Sequence, residues 1–259
     1  MHRGKCARYR SLSRYVLVSL TLWLAASVSA GASTAPSTNL ADYVCPKLDD
    51  FTAIMHIDRY DDNAGRKINK DFGDIYKLKG DIRVSYKEED RLRLDAHIGA
   101  ARAIYIVNGP HQYVRVPSFG IKTTSYLGDT PGKQKTLLDV GLISAGYLDL
   151  AEGQYIGSRP VDGVMCSVFR LQYKNRKFDT SHRIIWVDPA TRVVLKREEY
   201  NQSGKLNATY YYEKPFLAAP GIWFPSRIEA VNSEGQVAGV TDYRSVKVNI
   251  GLPDSLFSS

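Results

Sequence analysis

The sequence predicts a mainly β protein: a curved, half-open antiparallel sheet of about ten strands with helices covering its open side. Three observations lead there. From 51 to 116, apolar and polar residues alternate with a period of two between short turns, which marks a meander with one apolar face. The same pattern resumes from 155 to 249. Only 39–50 and 135–151 carry apolar residues at helical spacing in the body of the chain. No linker interrupts 39–259, so this stretch reads as one domain, and a sheet with so many strands must curl or split.

The chain before residue 39 has a different character. Arg3, Lys5, Arg8, Arg10 and Arg14 precede an apolar run from Tyr15 to Ala26, and Val28 and Ala30 supply the small residues before a cut. Residues 1–30 therefore read as a secretory signal peptide cleaved after Ala30, with an uncleaved anchor as the alternative. Residues 31–38, GASTAPST, read as a flexible linker. The formal charge of +8 owes much to the leader: five of the 35 Lys and Arg precede residue 15, and no acid falls in the first thirty positions. The remainder is close to balanced, so the charge does not call for nucleic acid.

Along the domain, Leu40, Tyr43, Val44 and Leu48 suggest a helix that Pro46 shortens. Phe51, Ala53, Met55 and Ile57 then alternate with Thr52, Ile54, His56 and Asp58 in a half-buried strand, closed by a turn at 61–65. Residues 72–78 read as a strand. In 81–86 Ile82, Val84 and Tyr86 oppose Asp81, Arg83 and Ser85; in 91–96 Leu92, Leu94 and Ala96 oppose Arg91, Arg93 and Asp95. Strands 103–107 and 112–116 flank an Asn108-Gly109 hairpin turn. Residues 118–134 read as a loop. Residues 135–151, with Leu137, Leu138, Val140, Leu142, Tyr147 and Leu148, are the best helix candidate, weakened by two glycines. Strands follow at 155–157 and 164–173. Three more lie between 183 and 213, turning at Asp188-Pro189 and at Asn201 to Gly204; the last two are 223–231 and 237–249.

Catalytic signatures are absent. His56, His97, His111 and His182 have no metal-ligand spacing, and there is no CxxC, GxSxG, GxxxxGK or GxGxxG. Asp95 and His97 share a strand face, but a surface pair explains them. No cofactor is implied. What remains is the apolar face, which is either an ordinary core or a cavity for an apolar ligand. The alternating positions assign to it Ile82, Val84, Leu92, Leu94, Ile104, Ile106, Phe169, Leu171, Trp186 and Tyr211. Cys45 and Cys166 either form a disulfide, which an oxidising compartment allows, or pack as two buried thiols.

The order of these elements carries a resemblance. YKLKGDIRVSYKEEDRLRLDAHIGAARAIYIVNGPHQYVRVP is followed by YIGSRPVDGVMCSVFRL, HRIIWVDPATRVVLKREEYNQSGK, GIWFPSRIEA and VKVNIGLPDSLF. The chain resembles the LolA-like periplasmic carriers, also called outer membrane lipoprotein-sorting proteins. The most telling pieces are Lys79-Gly80-Asp81-Ile82 with the Asn108-Gly109 turn, and Trp186-Val187-Asp188 with the Gly204 turn. The resemblance implies a half-open barrel, closed on one side by helices, whose cavity holds acyl chains of a lipoprotein or other lipid. It implies a periplasmic, non-enzymatic protein. Within the same fold family it also admits an envelope signalling or scaffold role, with an inner- or outer-membrane protein as partner. Tyr86 and Lys87 stand where the carriers have an Arg-Pro pair.

Overall fold

The computed structural model describes residues 36–69, 72–73 and 78–258. The leader and most of the linker lie outside these. Thirteen strands form one antiparallel sheet: β1 (Asp50–Tyr60), β2 (Lys79–Lys87), β3 (Arg91–Ile98), β4 (Ala101–Asn108), β5 (His111–Val116), β6 (Ile121–Tyr126), β7 (Ala151–Val161), β8 (Val164–Tyr173), β9 (His182–Val187), β10 (Val194–Tyr200), β11 (Leu206–Ala219), β12 (Ile222–Asn232) and β13 (Val237–Val248). The spatial order is β6-β5-β4-β3-β2-β1-β13-β12-β11-β10-β9-β8-β7. The sheet does not close. Its two edges, β6 and β7, are consecutive in the chain, and the segment joining them crosses the open side.

The meander forms because most turns are local and most strands alternate. Asp188 accepts from the Ala190 amide at 2.9 Å and the Thr191 hydroxyl at 2.6 Å, which fixes the β9–β10 turn expected at Asp188-Pro189. Gly204, at φ 77°, closes the β10–β11 turn in a conformation that side chains disfavour. Pairing then aligns the apolar face: Phe51 opposite Tyr86, Ala53 opposite Val84, Met55 opposite Ile82. The same face continues through Val84 opposite Leu94 and Tyr86 opposite Leu92.

Several expectations change. The strand expected at 72–78 is not one where it is described, since Phe72 and Gly73 are helical; 74–77 lie outside the described residues. The turn at 61–65 belongs to a helix, α1 (Asp62–Ile68), capped by the Asp61 carboxylate on the Ala64 amide. Ala64 and Ile68 pack on Ala208, Ala230 and Ala238. The 39–50 helix shrinks to a 3-10 turn, Leu40–Tyr43, which leaves the helix well before Pro46. The loop at 118–134 contains β6, in which Ile121, Thr123 and Thr124 favour extended backbone. The 135–151 helix breaks in two. A 3-10 turn (Leu137–Val140) stops at Gly141, at φ 83°, and α2 (Ala145–Leu150) restarts after Ser144, whose hydroxyl accepts from the Tyr147 amide. The C-terminal turn Asp254–Phe257 lies along β3 and β4, where Phe257 is fully buried.

Candidate functional site

The face of the sheet that carries Phe51 also carries Phe169, Tyr212 and Phe224, all buried. Phe224 packs edge-on against Phe51 and Tyr243, with ring centroids 5.1 and 5.9 Å apart. This concave face is the candidate site, and the segment 131–150 fills it. Leu137, Leu138, Leu142 and Ile143 of this plug are buried among the sheet side chains. The Tyr212 hydroxyl donates to the Leu138 carbonyl at 3.0 Å, and the Val194 amide to the Gly141 carbonyl at 2.9 Å. The Ser144 hydroxyl donates to Asp90 at 2.8 Å. From the N-terminal side, Cys45 donates its amide to Ile143, and the Tyr43 hydroxyl meets Ser167 at 2.5 Å. Next to Tyr212 a cleft of about 290 Å³ remains, lined by Val164, Leu195 and Pro215 with Asp162 and Asp188. That is at the low end of ligand pockets, which run from about 300 to 1,000 Å³.

Beneath the plug lies a charged cluster that sequence reasoning missed. Arg197 of β10 and Arg183 of β9 point into the concave face with side chains only 2% and 6% exposed. Arg197 Nη1 lies 3.2 Å from Asp139 of the plug, and its Nη2 lies 3.4 Å from Glu199. Arg183 Nε lies 3.4 Å from Glu199; its other nitrogens donate to the Tyr147 hydroxyl and the Gly132 carbonyl of the plug. The Arg197 guanidinium also stacks over Tyr210, 4.3 Å from the ring centroid. Burial works against ionising Asp139, but Lys135, Arg197, Arg183 and the Thr136 amide outweigh it, so its carboxyl stays well below the usual range. Burial likewise works against Glu199, and Arg197, Arg183 and Lys135 overcome it, so this carboxyl too is lowered. The only sequence signal was the facing of Arg183 and Glu199 across β9 and β10, which an exposed pair would equally give.

Of the ten positions expected on the cavity face, six are there: Ile82, Val84, Leu92, Leu94, Phe169 and Leu171. Four point the other way. In β4 the inward residues are Ala103, Tyr105 and Val107, opposite Ala96, Leu94 and Leu92, so Ile104 and Ile106 face outward against Asp95 and Arg93. Arg93 holds the Leu256 carbonyl at 2.9 Å, so the C-terminal turn caps this outer side. Trp186 and Tyr211 both pair with Lys196 on the outer face, and the Lys196 ammonium sits 4.4 Å from the Trp186 ring centroid. These strands are apolar on both faces, so alternation could not choose. Cys45 and Cys166 stand as separate buried thiols, not a disulfide. Asp95 is taken by Arg93 and Arg102, both at 2.6 Å, which leaves His97 no carboxylate partner on its own strand. Among the described residues, no group of three His, Cys, Asp or Glu side chains could hold a metal ion.

Solved structures share this architecture. A LolA superfamily protein from Nitrosomonas europaea aligns with a TM-score of 0.59 at 21% identity, covering 85% of this chain and 94% of that one. The fold is LolA-like. A domain from Vibrio parahaemolyticus, described as an outer membrane lipoprotein-sorting protein, gives a TM-score of 0.57 at 12% identity over 84% and 92% of the two chains. A DUF1329 family protein from Desulfovibrio piger gives 0.52 at 15% identity over 86% and 98%. A family model whose description reads only "uncharacterized protein" matches residues 136–259, most of the plug together with β7 to β13. No curated protein sequence matches the chain.

Proposed function

We propose that the protein is a non-enzymatic lipid carrier of the periplasm, which takes up acyl chains of a lipoprotein or another lipid on its concave face when the plug moves aside. One observation carries this reading. The concave face is covered by neither a second sheet nor a long helix. Part of its cover is two short helical turns separated by Gly141, slung between the open edges of the sheet; the rest is the N-terminal turn Leu40–Tyr43 and the short helix α1. The side chains the plug buries there, Leu137, Leu138, Leu142 and Ile143, are as apolar as an acyl chain. Exchange of one for the other leaves the apolar surface covered. Each CH₂ taken from water gains about 0.8 kcal/mol, but a chain arriving from a bilayer is already dry. The net gain is then small, which suits a protein that must also release its load. The lipoprotein-sorting description of the Vibrio domain, which has the same fold, supports the reading.

The test is to express the chain with its own leader, recover it from the periplasm without detergent, and compare native mass spectrometry with a denatured lipid extract. A co-purified lipid or acylated peptide is expected. A protein that is empty and also ignores added fluorescent fatty acid overturns the reading. A second reading, an envelope scaffold that grips a membrane protein, is favoured by β6, an edge strand whose six residues are all exposed and free to accept another strand. It expects stoichiometric binding of a polypeptide with no dependence on acyl chains.

A further inference from the structure

The contacts that the two buried arginines make with the plug have one direction. Arg183 and Arg197 are on the sheet, and every plug group they meet is an acceptor: the Asp139 carboxylate, the Gly132 carbonyl and the Tyr147 hydroxyl. Among the described residues, the sheet sets Glu199 alone against the two buried guanidiniums, and it touches both at 3.4 Å. With the plug seated, Asp139 balances the second cation. With a neutral apolar chain in the plug's place, one cation is left buried and uncompensated among aromatic rings. A buried charge without its partner is strongly unfavourable, so a ligand that replaces the plug must also replace its anion.

The site is also incompletely used. Asp139 meets Arg197 through Oδ1 alone, while its Oδ2 accepts from the Thr136 amide at 2.8 Å. Arg197 Nε and the Tyr173 hydroxyl are buried and have no hydrogen-bond partner among the described residues. The seated plug thus leaves buried donors unused beside the Asp139 position, and a charged acceptor is what such donors bind most strongly.

We propose that Asp139 occupies an anion site on the sheet, and that the ligand of the opened half-barrel is an anionic amphiphile. Its carboxylate or phosphate takes the place of Asp139 on Arg197, within reach of Arg183 and Tyr173, and its acyl chain takes the place of the plug leucines. This rests on the carrier reading above and narrows its cargo. A neutral lipid covers the apolar face equally well but leaves the arginine bare, so the two ligands differ in affinity because only one supplies the charge.

The experiment measures binding of 11-dansylundecanoic acid and of its methyl ester to the purified protein by fluorescence titration. The acid is expected to bind at least about tenfold tighter than the ester, a difference of about 1.4 kcal/mol. Arg197→Met should bring the acid down to the level of the ester. Asp139→Asn leaves the arginine in place and removes its competitor, so it should raise affinity for the acid more than for the ester; this variant keeps the test sound if Arg197→Met does not fold. Competition by oleate and by lysophosphatidate separates carboxylate from phosphate, and displacement by either supports the site. Equal binding of acid and ester in the wild type and Asp139→Asn overturns the anion site and leaves the carrier reading standing. Binding of neither probe overturns both.

Discussion

The Ser144 hydroxyl donates at 2.8 Å to the Asp90 carboxylate while accepting from the Tyr147 amide at 3.0 Å. One side chain thus caps α2 and ties the plug to the turn between β2 and β3. Asp90 is 5% exposed. Burial raises its carboxyl above the usual range; hydrogen bonds from Ser144 and the Leu137 amide offset part of this, Glu88 adds to it, and Tyr86 opposes it. A carboxyl raised in the folded state penalises the fold once it ionises. The penalty is full above the folded pKa and gone below the unfolded value of about 3.9. Asp90→Asn removes the charge and keeps an acceptor for Ser144. It also suits the left-handed backbone at φ 54°. The variant should melt higher than wild type at neutral pH, and the gap should close as pH falls toward 4. Thermal melts across this range check it; a gap that widens in acid would contradict the assignment.

Gly141 separates the two helical turns of the plug. At φ 83° it adopts a conformation that side chains disfavour, and a Cβ there would lie 2.7 Å from Tyr212 Cδ1 and 3.1 Å from Pro225 Cγ. Gly141→Ala should therefore destabilise the protein by about 1–3 kcal/mol, the usual range for backbone strain of this kind. The damage should be local. Limited proteolysis should cut within 131–150 while β7 to β13 stay protected. Uniform loss of protection across the sheet would mean that the plug is part of the indivisible core.

How much of this could be read in advance depends on whether one face of a strand was polar. In β2 and β3, Ile82 and Val84 alternate with Asp81 and Arg83, and Leu92 and Leu94 with Arg91 and Arg93; there the polar alternates mark the outer side, and the apolar ones lie on the concave face. In β4 Ile104 and Ile106 alternate with Ala103, Tyr105 and Val107, because the C-terminal turn makes a second, outer core. Pattern then gives no vote, and one step of register reverses the face. Trp186 in IIWV and Tyr211 in a run of three tyrosines failed for the same reason. The plug was visible as an apolar segment, but its break at Gly141 was not. Arg183 and Arg197 could not have been placed inside from sequence, since charged residues in strands ordinarily mark the wet face; only the plug, folded back from beyond β6, makes their side the dry one.

Cys45 and Cys166 report on two parts of the molecule. Burial pushes the Cys45 thiol up to about 11, against the pull of Arg192, and the Cys166 thiol up to about 12, with Asp188 adding to it. The thiolate is the reactive species, so both should resist Ellman's reagent near pH 8, close to the free-thiol pKa of about 8.5. Both should react when the protein is unfolded. Because Cys45 donates its amide to Ile143 of the plug, Gly141→Ala should speed labelling of Cys45 more than of Cys166. Single-cysteine variants and mass-resolved labelling distinguish the two rates. Equal acceleration would show that the plug does not control access to Cys45.

Ile106 should matter for stability and not for cargo. It is 1% exposed, faces away from the concave side and stands opposite Arg93, whose guanidinium holds the C-terminal turn. Lys87 and Arg91 hold the same turn from the edge through Asp254, at 2.5 and 2.9 Å, and Asn108 donates to the Phe257 carbonyl. Ile106→Ala should cost about 2–5 kcal/mol, the range for emptying a buried aliphatic site. Deleting the chain after Leu252 should also destabilise, because it removes the turn that Arg93, opposite Ile106, holds on the same outer side. The two changes strike neighbouring positions, so the double variant should lose clearly less than the sum of the singles. Urea melts of the four proteins measure that coupling. Lipid binding per folded molecule should be unchanged in all four; a loss confined to Ile106→Ala would return this residue to the ligand face.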